Sequence, residues 1–357
     1  MPQQQSGRSR VTDHIFLRDQ WYAAATAAEV VDKPLGRKIC NEDIVMFRER
    51  DGTVGVLEDR CPHRKAPLSL GQLVNGEIEC PYHGLRFDGA GVCTLIPSQQ
   101  TIPRGLDARR YPAIERYDLI FVWIGDAAKA DPALLPDWSP HTSPEWATVH
   151  GYHYVKANYL LLIDNLLDLT HLAFVHRTTL GASGPSDWLA QQQVWTEGET
   201  VRTRRVMRDV APSGLVRATK RFVDGRIDRF QTSWFGLPSY VLVSLGAEAA
   251  GTRDEMEFPH HIVPNNITPE TETTTHYFWS VSRRYALGDE DISKLFFNGT
   301  KAAFDEDAAM IEAQQHMIAS DPRHEPLANL DGDAASVGAR RLITRKLKLQ
   351  AATAQAA

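Results

Sequence analysis

The sequence predicts an α+β protein in two parts: a small all-β domain over residues 16–125, and a second domain over residues 146–350 in which helices are segregated against an antiparallel sheet. Three observations carry the prediction. Short β-like runs punctuated by turn signals fill the chain up to about residue 125. Pro132, Pro136, Pro140 and Pro144 then recur at four-residue spacing, which breaks regular structure and marks residues 126–145 as a linker draped over the surface. Beyond it, several strand-like stretches precede a long helical segment and a last basic one.

Each element has its own signal. Residues 1–15 form a flexible tail, polar and Gln-rich at its start, with no apolar signal core. Phe16–Glu29 opens with Trp21-Tyr22 and an Ala-rich run, an edge strand or short helix that packs aromatics into the first domain. Arg37–Ile39, Ile44–Arg48 and Val54–Glu58 read as strands, with Asp51-Gly52 as a hairpin turn. Asn75-Gly76 marks another hairpin, and Phe87-Asp88-Gly89 and Val92–Leu95 continue the β pattern. Tyr117–Ile124, rich in β-branched and aromatic residues, is the strongest strand.

In the second domain a buried helix is expected over Tyr159–His176, followed by an irregular stretch over Gly181–Ser186. Strands are expected over Val194–Trp195, Glu199–Met207, Leu215–Phe222, Arg229–Ser233, Tyr240–Leu245 and Thr273–Ser282. A long helix spans roughly Ile292–Ile318. A basic amphipathic helix follows over Ala334–Leu349, and its Arg and Lys residues read as a solvated face.

Composition narrows the function. A hydrophobic content of 43% and a charged content of 24% are ordinary for a globular protein. The net charge of −6 leaves no basic footprint for nucleic acid. No apolar run makes a clean membrane span: the longest, Tyr159–Val175, is interrupted by Asp164, Asn165, Asp168 and His171. The chain reads as cytoplasmic, in a reducing compartment where Cys40 and Cys93 stay free thiols.

The other two cysteines fall in a pattern. Cys61-Pro62-His63 and Cys80-Pro81-Tyr82-His83 each supply one thiolate and one imidazole, with sixteen residues between His63 and Cys80. Thiolates suit zinc and iron–sulfur clusters, and imidazole suits zinc, copper and iron. A Rieske [2Fe–2S] centre takes two Cys on one iron and two His on the other. Pro62, Pro67 and Pro81 stiffen the loops, while Gly84, Gly89 and Gly91 permit turns where backbone approaches sulfur. A structural zinc site also accepts two Cys and two His, but its usual spacing pairs Cys with Cys and His with His. One Cys and one His per loop favours the cluster.

On these residues, Cys61-Pro-His63-Arg-Lys-Ala-Pro-Leu-Ser and Cys80-Pro-Tyr-His83-Gly-Leu-Arg-Phe-Asp, the chain resembles the Rieske domain of the non-haem iron aromatic oxygenases. Among them it is most similar to the monooxygenases of the vanillate O-demethylase, dicamba demethylase and toluenesulfonate methyl-monooxygenase group. Respiratory-type Rieske proteins carry an extra Cys in each loop; Ala66 and Tyr82 stand at those positions here, which favours the oxygenase type. The resemblance covers nearly the whole chain beyond the tail. It implies a Rieske domain followed by a helix-grip catalytic domain.

A second polar cluster lies inside the apolar helix. Asn165, Asp168, His171 and His176 are surrounded by leucines on nearly every side. Helices apolar all round are buried, and buried polar groups need partners. A metal would provide one; a hydrogen-bonded core network is the other reading. Asp168 and His171, at i and i+3, share a helix face. His171 and His176 are about 140° apart at roughly 100° per residue, so they converge only if the helix bulges or unwinds between them.

The resemblance favours the metal, because Asn165, Asp168, His171 and His176 match the family's Asn-x₂-Asp-x₂-His-x₄-His motif. It implies His171 and His176 as ligands of a 2-His-1-carboxylate Fe(II) site with open positions for O₂. It implies Asp168 as the residue that holds His171 and bridges toward a cluster histidine, with Asn165 beside the metal. Candidates for the third ligand are Asp305, Glu306, Asp307 and Glu312. Phe304, Ala308 and Ile311 define an apolar helix face. Asp307 falls on that face, Glu306 points away and Asp305 lies to the side, so Asp307 is the expected ligand.

The implied function is the oxygenase component of a Rieske monooxygenase. An NAD(P)H-dependent ferredoxin or flavin reductase would reduce the cluster. Electrons would pass through His83, Asp168 and His171 to Fe(II), with O₂ as co-substrate. The reaction would hydroxylate a methyl or methoxy carbon of a small aromatic acid; a hydroxylated methoxy group loses formaldehyde, giving O-demethylation. Ring cis-dihydroxylation shares every metal residue and stays an alternative. A pure iron–sulfur electron carrier with a binding domain would leave His171, His176 and Asp307 without a role.

His260 and His261 are candidate substrate-binding residues, although Pro264-Asn265-Asn266-Ile267 looks like an insertion beside them. Among Arg202, Arg204, Arg205, Arg217, Lys220 and Arg221, one could pair with the substrate's acid group. A homotrimer is expected, closed head to tail, with electrons crossing between chains.

Overall fold

The structure, a computed structural model, describes residues 15–176, 179, 190, 192–213, 216–217, 219, 225–252, 259–323 and 327–356. All but the last residue of the expected tail, the irregular stretch 181–186, Lys220 and Arg221 lie outside the described residues.

The first domain is all-β. It opens with β1 (Gln20–Thr26) and continues into a meander of β2 (Leu35–Ile39), β3 (Glu42–Arg48) and β4 (Val54–Glu58). A four-stranded sheet follows, made of β5 (Gln72–Val74), β6 (Glu77–Glu79), β7 (Arg86–Phe87) and β8 (Cys93–Leu95). The last strands, β9 (Ala113–Arg116) and β10 (Leu119–Ile124), return to pair with β1 in the order β1-β10-β9. Asn75 and Gly76 both take left-handed φ, 57° and 82°, as the tight turn between β5 and β6 requires. The expected strand from Tyr117 begins two residues later. Tyr117 and Asp118, at φ 59° and 60°, form the turn between β9 and β10.

The second domain starts with β11 (Ala147–Val155) and a helical segment, α1 (Tyr159–Leu167) and α2 (Leu172–Val175). Then come β12 (Gln192–Glu197), β13 (Thr200–Val210), β14 (Ile227–Gly236), β15 (Tyr240–Ala249), β16 (His261–Thr271) and β17 (Thr274–Arg283). These build one antiparallel sheet in the order β11-β17-β16-β15-β14-β13-β12. Two long helices finish the chain, α3 (Glu290–Ser320) and α4 (Ala334–Ala356).

Four expectations change. The segment that looked like an insertion, Pro264–Ile267, belongs to β16, a central strand paired with β15 and β17. Its polar residues hid it. Asn265 is fully buried, donates to the Val241 and Val263 carbonyls at 3.0 and 2.7 Å, and accepts from the Tyr277 hydroxyl at 2.6 Å. The strand expected over Leu215–Phe222 is absent where the chain is described: Val216 and Arg217 are helical. β13 and β14 pair directly, leaving no slot for another strand between them. β11 carries no strand signal of its own in the sequence, because His, Gly and Tyr interrupt its apolar alternation.

The linker is welded rather than draped. Trp138 is buried, donates its indole N–H to Asn266 Oδ1 at 2.9 Å and meets Tyr240 edge-on at 6.2 Å. The main-chain amide of Cys40 donates to the Pro269 carbonyl at 2.8 Å, and the Thr268 hydroxyl to that of Ala23 at 2.7 Å. Tyr22 and Val122 from the first domain share one apolar core with Tyr159 and Ile267 from the second. The domains therefore fold against each other through a continuous core rather than through a hinge.

Candidate metal centres

The two Cys–His loops are built alike. In the first, Cys61 N–H donates to the Ala66 carbonyl at 2.8 Å and Lys65 N–H donates back to Cys61 at 2.9 Å. In the second, Cys80 N–H donates to Leu85 at 2.8 Å and Gly84 N–H donates back to Cys80 at 3.0 Å. The fourth residue after each cysteine takes the left-handed conformation, Lys65 at φ 62° and Gly84 at φ 71°. This repeated turn buries both sulfurs and leaves both histidines exposed at the tips. The rings of His63 and His83 lie 4.7 Å apart.

Burial pushes the Cys61 thiol up to about 11, with the neighbouring Cys80 thiol adding to the rise. A thiol so raised becomes a ligand only when a cation holds the thiolate. Inner sulfurs and outer imidazoles suit a two-iron cluster, with Cys on the buried iron and His on the outer one. One tetrahedral zinc would need all four donors around a single point. Among the described residues the set of His, Cys, Asp and Glu donors that converges on such a point is a different one.

That set is His171, His176 and Asp307, whose donor atoms all lie within 4.8 Å of one another. The helix carrying the two histidines breaks, but not between them. α1 ends at Leu167, Asp168 turns out at φ −107° and ψ 96°, and its carboxylate caps the next turn by accepting from Thr170 N–H and Oγ1, both at 2.9 Å. The chain then runs as a tight turn through His171 into α2, and His176 sits just past the end of α2. The break before His171 and the helix end at His176 together give the convergence that an unbroken helix forbids.

Both imidazoles are fixed from behind. His171 Nδ1 donates to the Asp168 main-chain carbonyl at 2.6 Å, and His176 Nδ1 donates to Glu306 Oε2 at 2.8 Å. Each Nε2 then faces Asp307, at 3.5 Å from Oδ1 for His171 and 3.2 Å from Oδ2 for His176. Asp307 is buried on α3, and Asn165 donates its amide to Asp307 Oδ1 at 2.9 Å. Burial is the largest influence on both rings. It holds His171 below the usual histidine range, but at His176 Asp307 and Glu306 together overcome it and raise the ring. Two imidazoles with hydrogen-bonded Nδ1 and convergent Nε2 beside a buried carboxylate are the donor set of a 2-His-1-carboxylate iron site.

Two expectations need adjusting, and two of the candidate acids are engaged elsewhere. Glu306 does not point away: the end of α2 lies over it, and it orients His176 while also accepting from the Thr179 hydroxyl at 2.7 Å. Sequence reasoning discarded it because it lies off the apolar stripe; the adjacent acid pair Glu306-Asp307 was the available signal. Asp168 holds His171 through its main-chain carbonyl, while its half-exposed carboxylate caps Thr170. Asp305 and Glu312 are engaged elsewhere, Asp305 with Lys301 at 2.7 Å and His153 at 2.9 Å, Glu312 with the Lys156 main-chain N–H at 2.8 Å.

A cavity opens from this triad toward the sheet, walled by apolar residues such as Val243, Leu245 and Phe296. His260 and His261 both line it. His260 accepts from Ala247 N–H at 3.2 Å and lies 3.4 Å from Glu248, and the His261 ring packs on Phe296 at 5.4 Å. Of the arginines considered, Arg202 is bound to Glu197 at 3.1 Å and stacks on Trp234, and Arg217 is exposed. The arginine that lines the cavity is Arg229.

Residues 20–112 match the Rieske [2Fe-2S] domain, and residues 155–349 match the vanillate O-demethylase oxygenase C-terminal domain. The chain is 38% identical to the vanillate O-demethylase oxygenase subunit of Pseudomonas sp. strain HR199, over 96% of this chain and 98% of that one. It is 36% identical to the oxygenase component of dicamba O-demethylase from Stenotrophomonas maltophilia, over 94% and 99% of the two chains. The toluene-4-sulfonate monooxygenase iron-sulfur subunit of Comamonas testosteroni is 35% identical, over 94% and 98%. The crystal structure of dicamba monooxygenase bound to dicamba superposes with a TM-score of 0.88 at 35% identity, covering 94% of this chain and 99% of that one. The form with non-haem iron and dicamba gives a TM-score of 0.82 at 34% identity, covering 95% and 99%. Among the described residues no helix is long and apolar enough to cross a membrane.

Proposed function

The chain belongs to the Rieske non-haem iron oxygenases with a vanillate O-demethylase-type C-terminal domain, and we propose that it hydroxylates a methyl or methoxy carbon of a small aromatic acid, with O-demethylation as the outcome for a methoxy group. As an oxygenase component of this family it uses a [2Fe–2S] cluster, a mononuclear iron, O₂ and electrons from a separate NADH-dependent reductase. The observation that carries the reading is the triad of His171, His176 and Asp307 at the end of an apolar cavity.

In this reading Cys61, Cys80, His63 and His83 hold the cluster, and His171, His176 and Asp307 hold the mononuclear iron. Bound there, the metals supply electron delivery and oxygen activation, the chemistry that side chains cannot perform. The chain's own work is positioning. The Asp168 carbonyl and the Glu306 carboxylate lock the two rings, and the Asn165 amide holds one oxygen of Asp307. The apolar walls take the aromatic ring and keep water out. His260 and His261 would meet the polar side of the substrate. A methoxy group turned toward the triad is hydroxylated at carbon. The resulting hemiacetal splits into formaldehyde and a phenol, its hydroxyl proton passing to the departing phenolate oxygen.

The test is product analysis with purified, iron-loaded protein, an electron-donating reductase and a panel of methoxy- and methyl-substituted aromatic acids. Formaldehyde and phenol in equal amounts, or a benzylic alcohol from a methyl group, are expected. A cis-dihydrodiol as the main product would replace the reading with ring dihydroxylation. The protein itself should be red-brown, with two cluster irons plus one labile iron per chain; a colourless, zinc-loaded protein would overturn the assignment of both centres.

The same reading makes the oxygenase a cytoplasmic homotrimer, with the buried Cys40 and Cys93 as free thiols. Electrons would cross from His83 of one chain to Asp168 of the next. The support is the Asp168 carboxylate, half-exposed beside the helix break and directed at its own turn rather than at His171. Co-expressing Cys61→Ser with His171→Ala tests the route. Neither variant should turn over alone, and mixed rings should recover part of the activity. Verified, metal-loaded mixed rings without activity would place electron transfer within one chain.

A further inference from the structure

The register of the large sheet carries a polar row that the chemistry above leaves unused. Directly paired residues run Gln192, Arg205, Gln231, Leu245, His261 and Arg283 from β12 across to β17. Paired residues share a sheet face, and Gln231, Leu245 and His261 all line the cavity of the triad. Gln231 also borders the recess under Leu169 and Leu172, the segment that carries His171.

The two ends of the row are tied into the fold. Gln192 donates to the Leu167 carbonyl at 3.3 Å and the Thr203 hydroxyl at 2.5 Å. Arg283 donates to the Ala286 and Asp289 carbonyls and to the Ser293 hydroxyl, at 2.8, 3.0 and 2.9 Å. Of the two glutamines in the row, Gln231 is the one that lines the cavity. It is only 2% exposed, and its carboxamide oxygen, like that of Gln192, is buried with no hydrogen-bond partner among the described residues, but the Gln192 amide is bonded to the fold. Buried polar groups are nearly always paired. An apolar side chain of the same length would serve the fold better at this place, so the amide is explained by something that enters the cavity.

We infer that Gln231 is a specificity-determining residue that hydrogen-bonds the acid group of the substrate ring. A carboxamide has the same shape when its ends are exchanged, so rotation turns its N–H donors toward an incoming carboxylate or sulfonate oxygen. Arg229, two residues earlier on the same face, lines the same cavity. The aromatic ring then lies over Val243 and Leu245, with its methoxy or methyl group left to face the triad. This assignment rests on the aromatic-acid reading above.

The experiment compares wild type with Gln231→Met in the full-length, metal-loaded protein, using a methoxybenzoate and its methyl ester. Binding is measured by anaerobic calorimetry and turnover with the reductase. The Met variant should raise Kd and KM for the acid by about 10- to 100-fold and leave kcat within about twofold, because the lost bond is made to bound substrate and transition state alike. KM for the ester, iron per chain and the cluster spectrum should not change. The ligand-free melting temperature should hold or rise, since no contact of the fold is removed. Gln231→Glu keeps the shape and repels an anion; it reads the same point should the Met variant fail to fold. Unchanged acid binding, an equal loss for acid and ester, or a clear drop in ligand-free stability would each overturn the role of Gln231 while leaving the aromatic-acid reading intact. A wild type that neither binds nor oxidises any aromatic acid would remove both.

Discussion

The two candidate metal centres are assembled by opposite means. The Cys–His loops keep all four donors in one stretch from Cys61 to His83, and the main chain does the positioning through the same turn used twice. The triad takes His171 and His176 from one segment and Asp307 from a helix more than a hundred residues later, and there the side chains and a single carbonyl do the positioning. A centre written in local turns needs little from the rest of the fold. A centre written across elements depends on a 31-residue helix lying against a broken one. The two should therefore fail differently when single residues are changed.

The largest effect separates them outright. Asp307→Ala is expected to empty the mononuclear site and bring turnover to background while the visible spectrum of the cluster persists. Iron per chain should fall by one third, and reduction of the cluster by dithionite should be unaffected. Loss of the cluster as well would show that the centres are not independent and would break the comparison.

A smaller loss is expected at Glu306, which orients His176 rather than standing among the three convergent donors. Removing such a hydrogen bond typically costs 10- to 100-fold in metal affinity or activity. Glu306→Ala should fall in that range, with Glu306→Gln retaining more because it can still accept from Nδ1–H. Asp305→Ala should stay near wild type, since its exposed carboxylate serves Lys301 and His153. Iron titration of the three variants gives the ranking Asp307, Glu306, Asp305. A stronger defect at Asp305 than at Asp307 would move the third ligand.

That ranking also marks what the sequence could show. The cluster loops were legible because two Cys–His pairs with their prolines and glycines sit within one window. Asp307 was legible because an acid on an apolar helix face is out of place. Glu306 was not, because its use appears only once α2 lies above it. The break at Asp168 was not either: the leucines on both sides predict one helix, and the Asp168 carboxylate that accepts from Thr170 makes a local bond competing with the helix. β16 was missed for a related reason. Its Pro264, Asn265 and Asn266 are poor strand formers, and their fit depends on Tyr277, Trp138 and neighbouring carbonyls supplied by other elements. Residues out of place in their local pattern were readable; a local bond competing with an equally good helix pattern, and groups satisfied from a distance, were not.

The smallest effects probe the repeated turn itself. Gly84 and Lys65 hold the same left-handed position in the two loops, but only one of them is glycine. A Cβ on Gly84 would meet Pro97 Cγ at 2.9 Å, and the left-handed backbone adds about 1–2 kcal/mol for any residue with a Cβ. Gly84→Ala should lower the midpoint of thermal bleaching of the cluster by several degrees. Lys65→Gly tests the other loop. It relieves about 1–2 kcal/mol of backbone strain and gives back about 0.5–1 kcal/mol through the greater freedom of glycine in the unfolded chain, so its bleaching midpoint should stay within a degree or two of wild type or rise slightly. Lys65 also belongs to an exposed basic edge with Arg64. If that edge steers the reductase, the glycine variant should show slower cluster reduction at low salt and a flatter dependence on ionic strength, at unchanged bleaching temperature. A Lys65→Gly variant that bleaches as early as Gly84→Ala would mean that the lysine side chain supports the loop, and the two turns would then be alike in backbone only.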